Sequence, residues 1–214
     1  MKRSGHNQHH NHDRCQSCAA ELKHRLYCDS CEKLQQLGKG DDYFTIFGHP
    51  RRFAIEEPVV DAAFDELLLA LHPDLHATAE PQEQALSVEH TALLVEAKHA
   101  LFNPYLRGKY LLSLLAPDLG SAAAKPPQSF LVQTFELQEA LDQAEAGATP
   151  LEPTQTAILD LQKDLEAELN EQFDRLTEDA DQPELVRSIQ VGLGKLKFLL
   201  NLKERAQELA KNLS

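Results

Sequence analysis

The sequence predicts an all-α protein, and three observations carry that prediction. Glycines are few, nine in 214 residues, and tryptophan is absent. Long stretches are rich in Ala, Leu, Glu, Gln and Lys, which lose little on entering a helix. Apolar residues then recur at spacings of three and four rather than two. The longest strongly apolar run, near Leu67 to Leu71, falls far short of the roughly 20 residues that span a bilayer, so a soluble chain without membrane contact is expected. A net charge of -13 argues against a general nucleic-acid binder, because affinity for phosphate backbones comes mainly from Lys and Arg.

Residues 1–14 hold His6, His9, His10 and His12 and read as a flexible, His-rich tail. Lys2, Arg3 and Arg14 lie there without the apolar segment of a secretory signal or the Arg- and Ser-rich pattern of a transit peptide. This predicts a cytoplasmic location, with the mitochondrial matrix as the alternative.

All four cysteines lie in Cys15-Gln16-Ser17-Cys18 and Cys28-Asp29-Ser30-Cys31, two C-x-x-C pairs separated by nine residues. Each pair turns two thiolates toward one point, and two pairs make the four soft ligands of a tetrahedral structural zinc site over residues 15–37. Iron is the other metal that four thiolates hold, and disulfides or a redox pair would use the same residues. The segment has few apolar residues, so metal would supply its folding free energy. His24, between the pairs, is expected on the surface, and no internal repeat is evident.

Gly38-Lys39-Gly40 separates this module from the helical region that begins near Asp41. Val60, Phe64, Leu67, Leu68 and Leu71 mark one stripe of a helix over Val59 to Leu71, which Pro73 ends. His72-Pro73-Asp74 is therefore expected to project from a sharp turn, Pro73 pushing His72 out of the helical region. Ser87 to Leu101 reads as a further helix with Leu94, Ala97 and Leu101 on one side. Residues 117–128, with Gly120, Ser121, Pro126 and Pro127, read as a linker. Helices near 129–146, 154–179 and 183–211, divided by Gly147 to Pro153 and by Asp181-Gln182-Pro183, predict a carboxy-terminal three-helix bundle over 129–211.

Asp41-Asp42-Tyr43-Phe44-Thr45-Ile46-Phe47-Gly48, the helix to Leu71 and the His-Pro-Asp loop resemble a J-domain, here 41–116. Asn103-Pro104-Tyr105-Leu106-Arg107-Gly108-Lys109-Tyr110-Leu111-Leu112, followed by Ser129 to Glu139, narrows the resemblance to the HscB co-chaperone family of iron-sulfur cluster biogenesis, over roughly residues 41 to 211. Some eukaryotic members carry a similar tetracysteine module ahead of the J-domain.

That resemblance implies a co-chaperone that binds an iron-sulfur cluster scaffold protein, delivers it to a DnaK/HscA-type ATPase chaperone and stimulates ATP hydrolysis there. It assigns chaperone binding to His72, Pro73 and Asp74, and scaffold binding to Leu131, Val132, Phe135, Glu136, Glu139 and Phe198. Leu131, Phe135 and Glu139 follow i, i+4, i+8, with Val132 and Glu136 on the next row. Periodicity alone reads the apolar members as bundle packing; the ordering of the segment reads them as a binding surface. No catalytic residue is expected: the chain has no Gly-rich phosphate loop, no G-x-S-x-G and no H-E-x-x-H. The alternative is a J-protein for another client, its cysteine module a metal sensor or adaptor.

One departure stands out. J-domains commonly present Lys or Arg along the second helix, whereas Val59 to Leu71 carries Asp61, Asp65 and Glu66 and no base. Electrostatic steering is expected to be weak or reversed, with Arg51 and Arg52 as candidates for the missing charge.

Overall fold

Seven α-helices, and no strand beyond isolated bridges, make up the computed structural model, which describes residues 14–120, 124–179 and 181–213. The His-rich tail lies outside the described residues except for Arg14. In chain order the helices are α1 (Tyr43–Ile46), α2 (Glu57–Ala70), α3 (Pro81–Phe102), α4 (Pro104–Leu115), α5 (Gln128–Glu145), α6 (Glu152–Glu178) and α7 (Pro183–Leu213). The all-α expectation is met.

Local chemistry sets the boundaries. Asp42 caps α1 by accepting the Phe44 and Thr45 amides at 2.8 and 3.0 Å, while Thr45 Oγ1 accepts the Asp42 amide at 2.8 Å. Arg51 donates to Asp42 and to the Gly40 carbonyl, so it is committed to this cap and is not available as the missing charge of α2. The helix expected from Ser87 begins earlier, at Pro81, a residue whose missing N–H costs nothing in the first turn. Gln84 fastens that start by donating to the Ala77 and Ala79 carbonyls at 3.1 and 2.8 Å. Asn103 opens α4, accepting the amides of Tyr105 and Leu106 at 3.0 and 3.1 Å.

Packing gathers the described residues into two compact units. The first holds the cysteine segment and α1 to α3, ending at Phe102. Its core is Phe44, Ile46, Val60, Leu67, Leu71, Leu94, Ala97 and Leu101, so the apolar stripes expected on α2 and α3 do face inward. Phe64 lies partly buried, with Lys98 Nζ 4.0 Å from its ring centroid.

The second unit holds residues 52–54 and α4 to α7. Phe53 is buried on Phe173 with ring centroids 5.2 Å apart, and Arg107 Nε donates to its carbonyl at 2.6 Å. Burying such a ring contributes about 1.5–3 kcal/mol. Gly108 lets α4 approach α7, because a Cβ there would collide with Leu193. Gln190 of α7 donates to the Leu119 and Gly120 carbonyls at 3.3 and 2.9 Å and accepts the Ala124 amide at 2.9 Å, tying the chain after α4 to the bundle. Leu141, Ala144, Ile158, Leu202, Ala206 and Leu209 close the far end of α5 to α7. Among the described residues no helix is long and apolar enough to cross a membrane.

Candidate functional site

Leu71 ends α2, and a single 3-10 turn over Pro73–His76 comes directly after it. His72 sits ahead of the turn at φ -59, ψ 128, the extended conformation that Pro73 demands of its predecessor. Its Nδ1 accepts the Asp74 amide at 3.2 Å. The side chains of His72 and Asp74 are 53% and 91% exposed, so the loop displays both. His76 Nε2 donates to the Ala70 carbonyl at 2.9 Å, anchoring the turn from behind.

α3 holds the root of this loop. Ser87 Oγ and Thr91 Oγ1 donate to the Leu71 carbonyl at 2.6 and 3.2 Å. Neither residue stands out in the sequence as functional, nor does His90 between them. A signal is nevertheless present: Ser87 and His90 continue the three- and four-residue steps of Leu94, Ala97 and Leu101, which places polar groups on the buried face.

The acidity of α2 is offset from elsewhere in the same unit. Lys23 Nζ contacts both Glu66 oxygens, at 2.5 and 2.6 Å, and holds that carboxyl below its usual range. Lys98 Nζ pairs with Asp61 at 2.7 Å.

The four cysteine sulfurs lie within 4.8 Å of one another. Cys15 and Cys31 Sγ are 3.5 Å apart, Cys18 and Cys28 Sγ 3.7 Å. A zinc–sulfur bond of about 2.3 Å in a tetrahedron sets sulfurs about 3.8 Å apart, so the donor set fits a four-thiolate metal centre. The amides of Ser17 and Cys18 point at Cys15 Sγ, at 3.3 and 3.4 Å. Burial pushes the Cys15 thiol up, but the amides of Cys18 and Ser17 and the thiols of Cys31 and Cys18 outweigh it and bring it down to about 6. Burial, together with its hydrogen bond to Cys15, pushes Cys31 up to about 12. Ionising all four sulfurs at this spacing would need a cation among them.

The module is an internal repeat with an offset of thirteen residues, from Cys15 to Cys28, which periodicity of side chains does not reveal. Bridges Arg14 to Glu21 and Tyr27 to Leu34 correspond, as do the bonds Cys15 N to Ala20 O and Cys28 N to Lys33 O. Ala19 and Glu32, at matching positions, both adopt positive φ, 61° and 57°. The repeat lives in backbone turns, which three shared residues, Cys, Ser and Cys of each C-x-x-C, barely signal. His24, expected on the surface, is only 7% exposed; it stands beside Glu66, with Nε2 3.4 Å from the carboxylate, and is not one of the clustered ligands.

On the bundle, Val132, Phe135, Glu136 and Glu139 are exposed along α5 and Leu131 is half-buried. Val132 is 50% and Phe135 59% exposed, and Phe198 on α7 is 43% exposed. Bundle packing therefore does not account for these three apolar side chains.

Residues 126–207 match the family model described as the HSCB C-terminal oligomerisation domain. The co-chaperone protein HscB homolog of Aliivibrio salmonicida (strain LFI1238) is 29% identical over 169 residues, 78% of this chain and 96% of that protein. Its counterpart in Aliivibrio fischeri (strain MJ11) is 28% identical over 173 residues, 80% of this chain and 98% of that one. Among solved structures, chaperone HscB from Vibrio cholerae superposes with a TM-score of 0.69 at 26% identity, covering 81% of this chain and all (100%) of the other. Human co-chaperone protein HscB shares the fold, with a TM-score of 0.66 at 20% identity, covering 91% of this chain and 97% of that structure. The chain is thus similar over most of its length to HscB co-chaperones and carries their C-terminal oligomerisation domain over residues 126–207, with the four-cysteine cluster at Cys15 to Cys31 lying ahead of that domain.

Proposed function

We propose that this protein binds an iron-sulfur cluster scaffold protein through its bundle, brings it to a DnaK/HscA-type ATPase chaperone in the cytoplasm, and stimulates that chaperone's ATP hydrolysis through His72, Pro73 and Asp74. In this reading residues 41–116 act as the J-domain, 129–211 as the scaffold-binding bundle and 117–128 as the linker between the two roles. The observation that carries it is the display of the loop: a carboxylate 91% exposed at the tip of a turn whose root is held by α3.

The reacting groups belong to the chaperone. Asp74 is placed to accept a charge-assisted hydrogen bond from a partner arginine, and His72 to bury part of its ring on contact. Stimulation then comes from differential affinity: a loop that binds best to the conformation in which hydrolysis is fast shifts the chaperone toward it. Leu131, Val132, Phe135 and Phe198 supply apolar contact for the scaffold, and Glu136 and Glu139 set its charge requirement. Zinc is the metal proposed for Cys15, Cys18, Cys28 and Cys31, where it would supply the folding free energy that a segment with little apolar core lacks.

The test is steady-state ATP hydrolysis by a DnaK/HscA-type chaperone with purified scaffold, adding this protein or its His72→Gln variant. Stimulation that needs both His72 and the scaffold is expected. Stimulation that survives the substitution would overturn the role of the loop, and stimulation without any effect of the scaffold would point to another client.

A further inference from the structure

One turn of α3 touches the cysteine module on one side and the root of the His-Pro-Asp loop on the other. His90 is 2% exposed, and its Nε2 donates to the Gln35 carbonyl at 2.7 Å. Ser87 and Thr91, its neighbours on the helix, donate to the Leu71 carbonyl, the last acceptor before His72. Gln35 in turn reaches into the first cysteine turn: its Oε1 accepts the Gln16 amide at 2.8 Å, and its Nε2 donates to the Lys33 carbonyl at 2.8 Å. Gln16 directly follows Cys15, and Lys33 closes the turn that begins at Cys28 through the Cys28 amide. Gln35 thus ties both cysteine turns to α3.

Two surface pairs repeat the connection. Lys23 joins Glu66 of α2, and Lys33 Nζ joins Glu83 of α3 at 2.8 Å. A groove of about 450 Å³ adds direct adjacency, being walled by Cys31, Glu32 and Lys33 from the module and by Leu75, His76 and Ala79 from the segment after Asp74. A metal ligand and the residue next to Asp74 therefore border the same space.

We propose that the posture of the His-Pro-Asp loop depends on metal in the cysteine site, with His90 as the positioning residue that passes the constraint from Gln35 to the turn of α3 holding Leu71. The module has no helix, and its buried apolar side chains beyond the cysteines are Leu26 and Leu34, so without metal its two turns have little to hold them together. Losing them frees Gln35, leaves His90 Nε2 without its acceptor and opens the groove beside Leu75. α3 then no longer has a fixed abutment on that side, and the loop samples more conformations. In functional terms the inference rests on the reading of the loop as the chaperone contact: metal content would set how much of the protein is competent to dock.

The experiment is amide hydrogen exchange over residues 69–79 in the full-length protein, loaded with one equivalent of zinc or stripped with a chelator, with helix content monitored by circular dichroism. Stripping is expected to speed exchange in this segment about tenfold while α5 to α7 keep their protection. In His90→Phe, which keeps all four cysteines, zinc is expected to bind while the segment exchanges at the faster rate whether loaded or stripped. Lys33→Ala, a surface change that leaves the buried residues in place, is expected to give a smaller effect of the same sign. Exchange over 69–79 that ignores zinc in the wild type, or that stays fully zinc-dependent in both variants, would overturn the inference. The two readings fail separately. Zinc-independent exchange with normal His72-dependent ATPase stimulation removes the coupling alone; zinc-dependent exchange with no stimulation removes the chaperone reading alone.

Discussion

Ser87 Oγ donates to the carbonyl of Leu71 at 2.6 Å, so the residue that ends α2 is held by a side chain sixteen positions further along the chain. Both groups are buried, and the bond fixes the point from which His72 departs. Thr91 supports the same oxygen at 3.2 Å.

Ser87→Ala removes one of two donors and should lower unfolding stability by about 1 kcal/mol; adding Thr91→Val leaves the carbonyl buried without a partner and should raise the loss to about 2–3 kcal/mol. Urea unfolding of the three proteins checks this. ATPase stimulation by the double variant should fall even under conditions where it is fully folded.

His90 makes stability pH-dependent. Burial lowers its pKa, outweighing the Gln35 carbonyl, and its Nδ1 is buried with no partner to receive a second proton's charge. The unfolded chain binds that proton near pH 6.5 and the folded chain only at lower pH, so unfolding takes up a proton between the two values. The contribution is therefore complete above about pH 6.5 and is lost as pH falls below it. Urea midpoints at pH 7.5 and 5.5 should separate more in the wild type than in His90→Phe.

Phe135 and Phe198 are exposed, so truncating them costs the fold little. Phe135→Ala and Phe198→Ala should leave the melting temperature within about 2 °C of wild type, while each weakens scaffold binding about tenfold or more. Calorimetric titration with the scaffold protein measures the second effect. A large drop in melting temperature with unchanged affinity would return both rings to a packing role.

Ala19 and Glu32 carry side chains where the backbone is left-handed, at φ 61° and 57°. Replacing either by glycine should relieve about 1 kcal/mol of backbone strain. If the metal-loaded module is the beneficiary, Ala19→Gly and Glu32→Gly should each retain metal about fivefold better against a competing chelator.

Helix content, the apolar faces of α2 and α3, the three carboxy-terminal helices and the pairing of cysteines within each C-x-x-C were legible in the sequence by itself, because each rests on spacing within one segment. Val60, Leu67 and Leu71 repeat with the helical period, and C-x-x-C brings two thiols together by local chain geometry alone. The display of His72 and Asp74 was legible for the same reason: Pro73 acts on its immediate neighbour. What tertiary structure decided were relationships between segments distant in sequence. The charge of α2 is set by Lys23 and Lys98, and Arg51, which local reading offered as compensation, is held by Asp42. His24 became buried because Glu66 and α2 lie against it, and Phe135 stayed exposed because α5 buries Thr134, Leu141 and Ala144 instead, choices that one helix's periodicity cannot contain. Hydrogen bonds from Ser87 to Leu71 and from His90 to Gln35 depend on how α3 is seated, and side-chain packing between elements, rather than propensity within them, sets that seat.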